Sequence, residues 1–203
     1  MVKPTTTKQI AKEALKLAKD NKKKIPTVEW KSLTSSFPTD PFDTTAINSL
    51  SDIAAGDTLD DRSGEKVKAK SLRVKGNIEG HGSAATTIVW LMIIIDLMAA
   101  GSAPVIGDLF DSDAAFYSNR NKKGDPQVSS RFIVLWDKYF CLSNTGNQRV
   151  AFDKYIPLRH NIVYTGTAAT NRGKGAIYLL SGSSRNTNRP VMSADAMLKY
   201  TDG

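Results

Sequence analysis

Cysteine occurs once in the 203 residues, at Cys141, so neither an internal disulfide framework nor a cysteine-built zinc site can form. Histidine is nearly as scarce: His81 and His160 stand far apart, without the clustering a metal site needs. A cupin-type barrel would require a His-x-His pair, a glutamate and a third histidine, and that set is missing. The sequence has no Walker phosphate loop and no G-x-S-x-G nucleophile elbow. GTAATNRGKG has the wrong spacing for a phosphate loop and reads as a connection between strands. Together these absences argue against an enzyme. The opening MVKPTTTKQ lacks the apolar stretch of a secretory signal, which leads us to expect cytosolic or nuclear synthesis.

Long hydrophobic runs are missing too. The greasiest segment, TTIVWLMIIIDLMAAGSAPVIGDLF at 86–110, is uninterrupted only from Ile88 to Ile95, after which comes Asp96. A bilayer-spanning helix needs about twenty apolar residues, and a central aspartate costs a few kcal/mol. Ile88, Val89, Ile93, Ile94 and Ile95 are β-branched, which favours a strand buried on both faces. The segment is therefore expected to be a core strand, and no membrane insertion is expected.

Charge is abundant but unevenly placed. The formal net charge is +8. Residues 1–24 carry Lys3, Lys8, Lys12, Lys16, Lys19, Lys22, Lys23 and Lys24 against only Glu13 and Asp20, while the remainder is nearly neutral. A basic arm on a neutral body points to a polyanionic partner. Thr6 and Gln9 fit a capping box that starts a helix. At 100° per residue, Lys8, Lys12, Lys16, Lys19 and Lys23 fall within an arc of about 80°, opposite Ile10, Ala14 and Leu17. A membrane-surface role fits poorly, because that apolar side has no aromatic anchor.

Residues 25–58, rich in Pro, Ser, Thr and Asp, show no sustained period and read as an extended surface connector. From about residue 65 the pattern becomes strands separated by turns: 65–80, 86–97, 129–143, QRVAFDKYIPL beside RHNIVYTG, 173–183 and 189–201. Seven or eight short strands with no long helix between them predict an antiparallel sandwich or barrel. Lys66, Lys68 and Lys70 fall on one face of the first of these strands and would extend a positive surface; a merely solvated strand face explains them equally well. Two acidic groups stand out, Asp57, Asp60 and Asp61, and Asp108, Asp111 and Asp113. Hard cations such as calcium favour grouped carboxylates, although turn and capping roles account for these residues equally well. No organic cofactor is expected; structural calcium is the one ion these groups could hold.

Several stretches, taken in order, carry a resemblance. RSGEKVKAKSLRVKG resembles the Arg-x-Gly…Lys-Ser-Leu-x-Val/Ile-x-Gly element of capsid proteins of small circular single-stranded DNA viruses, the circovirus-like and geminivirus-like group. TTIVWLMIIID is similar to their second core strand, with Asp96, Gly101, Pro104 and Asp108-Leu109-Phe110 in the places of the loop and short helix that follow. RFIVLWDKYFCLS is similar to their Arg-Phe-x-Val-Leu-x-Asp-Lys segment, and FDKYIPLRHNIVYTG through GAIYLLSGSS resembles the late strands. The match runs from Ile53 to Ser184.

What the resemblance implies is an all-β, eight-stranded antiparallel jelly-roll sandwich over 59–203, with the helical basic arm at 1–24. It also implies self-assembly into an icosahedral shell, about sixty copies in the T=1 arrangement. The interior arm would package a single-stranded genome, and a host receptor would be a further partner. The expected location is the virion, with assembly in the nucleus or cytoplasm of the host cell. Satellite RNA virus coat proteins share the fold, so the genome can be RNA. One departure is that this arm uses lysine alone and is modest in charge; sixty arms would neutralise on the order of 360 phosphates. A non-viral β-sandwich that binds nucleic acid through its arm is the alternative.

Overall fold

The computed structural model describes residues 7, 11–17, 29–41, 45–98, 102–110 and 130–203. Eight strands account for most of it: β1 (Lys31–Pro41), β2 (Thr45–Ser49), β3 (Lys66–Glu79), β4 (Thr86–Asp96), β5 (Phe132–Ser143), β6 (Arg149–Val163), β7 (Ala176–Ser183) and β8 (Val191–Asp202). They form two four-stranded sheets, ordered β1-β8-β3-β6 and β2-β7-β4-β5. The antiparallel pairings β1/β8, β2/β7, β3/β6 and β4/β5 are nested, the winding of a jelly roll.

Side-chain alternation explains where the core lies. Val67, Leu72, Val74 and Ile78 of β3 meet Val89, Leu91, Ile93 and Ile95 of β4 between the sheets. Each fully buried aliphatic side chain of this kind contributes about 1.5–3 kcal/mol. The other side of β4 is buried as well: Trp90, Met92 and Ile94 pack with Leu109, Phe110, Tyr178 and Leu180 in a second apolar layer. Trp90 meets Phe110 edge-on at 5.2 Å and donates its indole N–H to Asp137 at 2.7 Å. The greasy run is thus a strand buried on both faces, as its composition predicts. Asp96 ends it, buried and bonded to Arg131 at 2.9 Å and to the Met98 amide. Among the described residues no helix is long and apolar enough to cross a membrane.

Two expectations change. Within the connector expected at 25–58, residues 31–41 and 45–49 are not surface chain; they are edge strands, one in each sheet. On β1 the inward positions are Lys31, Leu33, Ser35 and Phe37, so two polar residues mask the alternation. The Lys31 ammonium is buried because it pairs with Asp202 at 3.0 Å and donates to Ser63 at 3.2 Å. QRVAFDKYIPL and RHNIVYTG, expected side by side, instead make one continuous fifteen-residue strand, β6. Pro157 does not break it, because β6 is a sheet edge and the proline sits at a register irregularity opposite Ser71.

Two polar groups, Arg62 fully buried and His160 half-buried, tie separate segments of the sandwich together. Arg62 donates from Nε to the Ile53 carbonyl at 3.0 Å and from its two terminal nitrogens to the carbonyls of Gly64 and Gly166. Its guanidinium lies 4.2 Å from the centroid of the Tyr164 ring. The Tyr164 hydroxyl donates to the Ser51 carbonyl at 2.9 Å, and burial pushes its titration well above the usual range. At the other position, His160 Nε2 contacts the Gly175 carbonyl at 3.0 Å, so the ring carries its proton there. Gly175 has φ +90°, and a Cβ there would collide with the Asn161 backbone, so glycine is required.

Burial holds His160 below its ordinary value of 6.5, with the Gly175 carbonyl pulling the other way. The unfolded chain therefore binds the proton more readily, and this stability is present above about pH 6.5 and lost as pH falls through the folded value. The urea midpoint of the wild-type protein should drop more between pH 7.5 and pH 5.5 than that of His160→Gln, which keeps an N–H donor but cannot titrate. Equal drops would contradict this.

Candidate nucleic-acid interface

The two sheets differ in what covers their outer faces. The β2-β7-β4-β5 sheet carries the second apolar layer described above. The β1-β8-β3-β6 sheet presents polar and charged side chains outward. Exposed on β3 are Lys66, Lys68, Arg73 and Lys75, with Lys70 half-buried. On β6 the exposed cations are Arg149 and Arg159, and on β8 there is Lys199.

Strand geometry sets this arrangement. Lys66 and Lys68 are two residues apart, so both project from one side of β3. The alternation is interrupted between Ala69 and Ser71: Lys70 has no partner on β8, and Leu158 and Arg159 of β6 span the step opposite it. That irregularity keeps Lys70 on the Lys66/Lys68 side and sends Arg73 and Lys75 outward further along. The expected single face for Lys66, Lys68 and Lys70 is therefore what the fold builds.

The face divides into two electrostatic halves. At one end Arg73 grips Asp153 through two hydrogen bonds of 2.9 and 2.5 Å. Hydrogen bonding from Arg73 holds the Asp153 carboxyl below the usual carboxylate range. Arg149 pairs with Glu79 at 2.5 Å, and Asp195 accepts from Ser36 at 2.7 Å beside Lys75. Charge there is balanced. At the other end Lys66, Lys68, Lys70 and Arg159 enter no ion pair among the described residues. Lys68, Lys70 and Arg159 line an open recess of about 430 Å³ with Trp30, Pro157 and Leu158. Trp30 is 62% exposed, and the Lys70 ammonium lies 5.7 Å from its ring centroid.

Of the arm lysines, Lys12 and Lys16 are described: both are exposed in the helical stretch 11–17. Lys3, Lys8, Lys19, Lys22, Lys23 and Lys24 lie outside the described residues. Leu15 and Leu17 are exposed as well, so the described part of the arm helix buries no apolar side against the sandwich. Trp30 directly precedes β1 and contacts Lys70, so the chain enters the sandwich at the unpaired basic end of the open face. Arg159, Lys199 and Trp30 are additions that sequence patterning did not single out.

Asp60, Asp61 and Asp108 take turn and cap roles. Thr58 Oγ1 lies 2.6 Å from Asp60 and 2.7 Å from Asp61, and Asp108 accepts from the Val105 amide and from Arg131. Among the described residues no three His, Cys, Asp or Glu side chains gather into a possible metal site. Asp111 and Asp113 lie outside those residues.

Nested strand pairing, a lysine-bearing helical arm and one open basic face define a jelly roll of the kind that builds viral shells. A family of known proteins, described as the satellite tobacco necrosis virus coat protein, matches residues 11–203. The chain belongs to that coat-protein family, whose members are structural proteins that form oligomeric capsids and reside in the virion. The viral-coat resemblance read in the sequence thus holds at that level, while the matching family is not the single-stranded DNA group named there. No curated protein matches the chain. Among solved structures, desmodium yellow mottle tymovirus is 11% identical over 87% of this chain and 88% of its own, with a TM-score of 0.36. Turnip yellow mosaic virus is 13% identical over 87% and 95%, with a TM-score of 0.40. Latent PorU from Porphyromonas gingivalis is 6% identical over 86% of this chain and 13% of its own, with a TM-score of 0.39.

Proposed function

We propose that about sixty copies of this chain close into a small T=1 icosahedral shell around a single-stranded genome, with the lysine-rich arm neutralising phosphates inside. The observation that carries the reading is Trp30: the chain enters β1 at the end of the open sheet where Lys66, Lys68, Lys70 and Arg159 enter no ion pair among the described residues. Arm and face carry charge of the same sign. Lys66, Lys68 and Lys70 extend the arm's charge onto the wall. Phosphate contacts of this kind are independent of sequence and weaken steeply with salt.

The matching family is one of single-stranded RNA viruses, which favours RNA over DNA as cargo. Assembly takes place in the nucleus or cytoplasm of the host cell, and entry uses a host receptor.

Purified particles treated with nuclease should yield a protected single-stranded nucleic acid that ribonuclease degrades once the protein is removed. Protein that co-purifies with no nucleic acid, under every salt condition tried, would contradict the packaging reading.

A further inference from the structure

Tryptophan is an expensive residue to leave in water, and Trp30 is 62% exposed at the edge of the recess bounded by Lys68, Lys70, Arg159 and Pro157. The two other tryptophans are treated differently: Trp90 is fully buried and Trp136 packs against Phe140 and Phe152. Lys70 beside the indole supplies a cation–π contact that positions the ring. The recess volume of about 430 Å³ falls within the range of small-ligand sites. Among the described residues its three cations enter no ion pair, whereas Arg73 and Arg149 at the far end of the same sheet are paired with Asp153 and Glu79.

We propose that Trp30 is a stacking platform for a base of single-stranded nucleic acid, with Lys68, Lys70 and Arg159 holding the flanking phosphates. This deepens the packaging reading and rests on it. Charge alone would serve any polyanion; an exposed indole among cations discriminates, because every base offers a π-face and a bare polyanion offers none. The platform does not read sequence. It gives each subunit a fixed point at which the strand meets the wall, at the residue that precedes β1. Tyr155, 61% exposed on the same side of β6 two residues from Pro157, offers a second aromatic surface along the same line.

The test compares two probes on the full-length chain: a twelve-nucleotide oligouridylate and an inorganic polyphosphate of similar charge. Trp30→Ala should weaken oligouridylate binding by about tenfold, the usual loss for one stacked base. Polyphosphate affinity and its salt slope should stay unchanged. Trp30→Phe should retain most of the oligouridylate affinity while losing the fluorescence quenching that binding produces in the wild type. Because Trp30 is exposed, neither substitution disturbs the core. The proposal is overturned if Trp30→Ala binds oligouridylate as the wild type does, or if it weakens both probes equally. Replacing the arm lysines by glutamine should weaken both probes. A normal arm effect with no Trp30 effect would therefore sink the platform alone, and the converse would sink the arm.

Discussion

Particles whose Lys8, Lys12, Lys16, Lys19 and Lys23 are all replaced by glutamine are expected to contain almost no nucleic acid. The spacing of these five lysines is that of one helix face, and Lys12 and Lys16 are exposed where the arm is described. For single strands the affinity exponent is about 0.7 per neutralised phosphate, so five lost contacts at 0.15 M salt amount to about a thousandfold weaker binding per subunit. The slope of log affinity against log salt should fall by about 3.5. The ratio of absorbance at 260 and 280 nm, measured on purified particles, should drop to that of protein. Glutamine keeps helix propensity close to lysine's, so the change isolates charge from helix formation. An unchanged nucleic-acid content per particle would show that the arm does not package.

The second large effect concerns Arg62. The residue is 2% exposed, and its guanidinium meets three backbone carbonyls and an aromatic face. Those carbonyls belong to the segments before β3 and after β6, so one side chain joins parts of the chain that are over a hundred residues apart. Arg62→Met keeps much of the volume but leaves the carbonyls of Ile53, Gly64 and Gly166 without their donor. Hydrogen bonds from a charged group are worth about 1.5–3 kcal/mol each, and with partial rescue by water the total loss should be about 3–5 kcal/mol. Arg62→Lys should recover less than half, because a compact ammonium cannot span three diverging acceptors. Urea unfolding of the dissociated subunit measures both; a loss under 1 kcal/mol for Arg62→Met would mean the clamp is incidental.

How much of this was legible beforehand depended on whether polarity tracked burial. β4 was readable because every position from Val89 to Ile95 is apolar and all of them are buried. β1 was not, since half its inward positions are Lys31 and Ser35, and a lysine turns inward only where an aspartate 171 residues later waits to pair with it. No local pattern encodes that partner. β6 was misdivided because Pro157 reads as a terminator, and its tolerance follows from an edge position that only the assembled sheet defines. Arg62 and Gly64 were visible as an Arg-x-Gly element, but the carbonyls that explain the arginine come from elsewhere in the chain.

The site divides the same way. Charge asymmetry revealed the arm, and period-two spacing placed Lys66, Lys68 and Lys70 together. Arg159 joins them across the β3/β6 register, which the sequence does not state. Trp30 looked like one aromatic in an irregular connector, and its significance rests on the lysine beside it and on its exposure.

The central claim is that this fold closes on copies of itself. Electron microscopy of the purified full-length protein tests it most directly. Uniform shells roughly 20 nm across are expected, a size set by about sixty jelly rolls of these dimensions. A protein that stays strictly monomeric across salt and pH would contradict it.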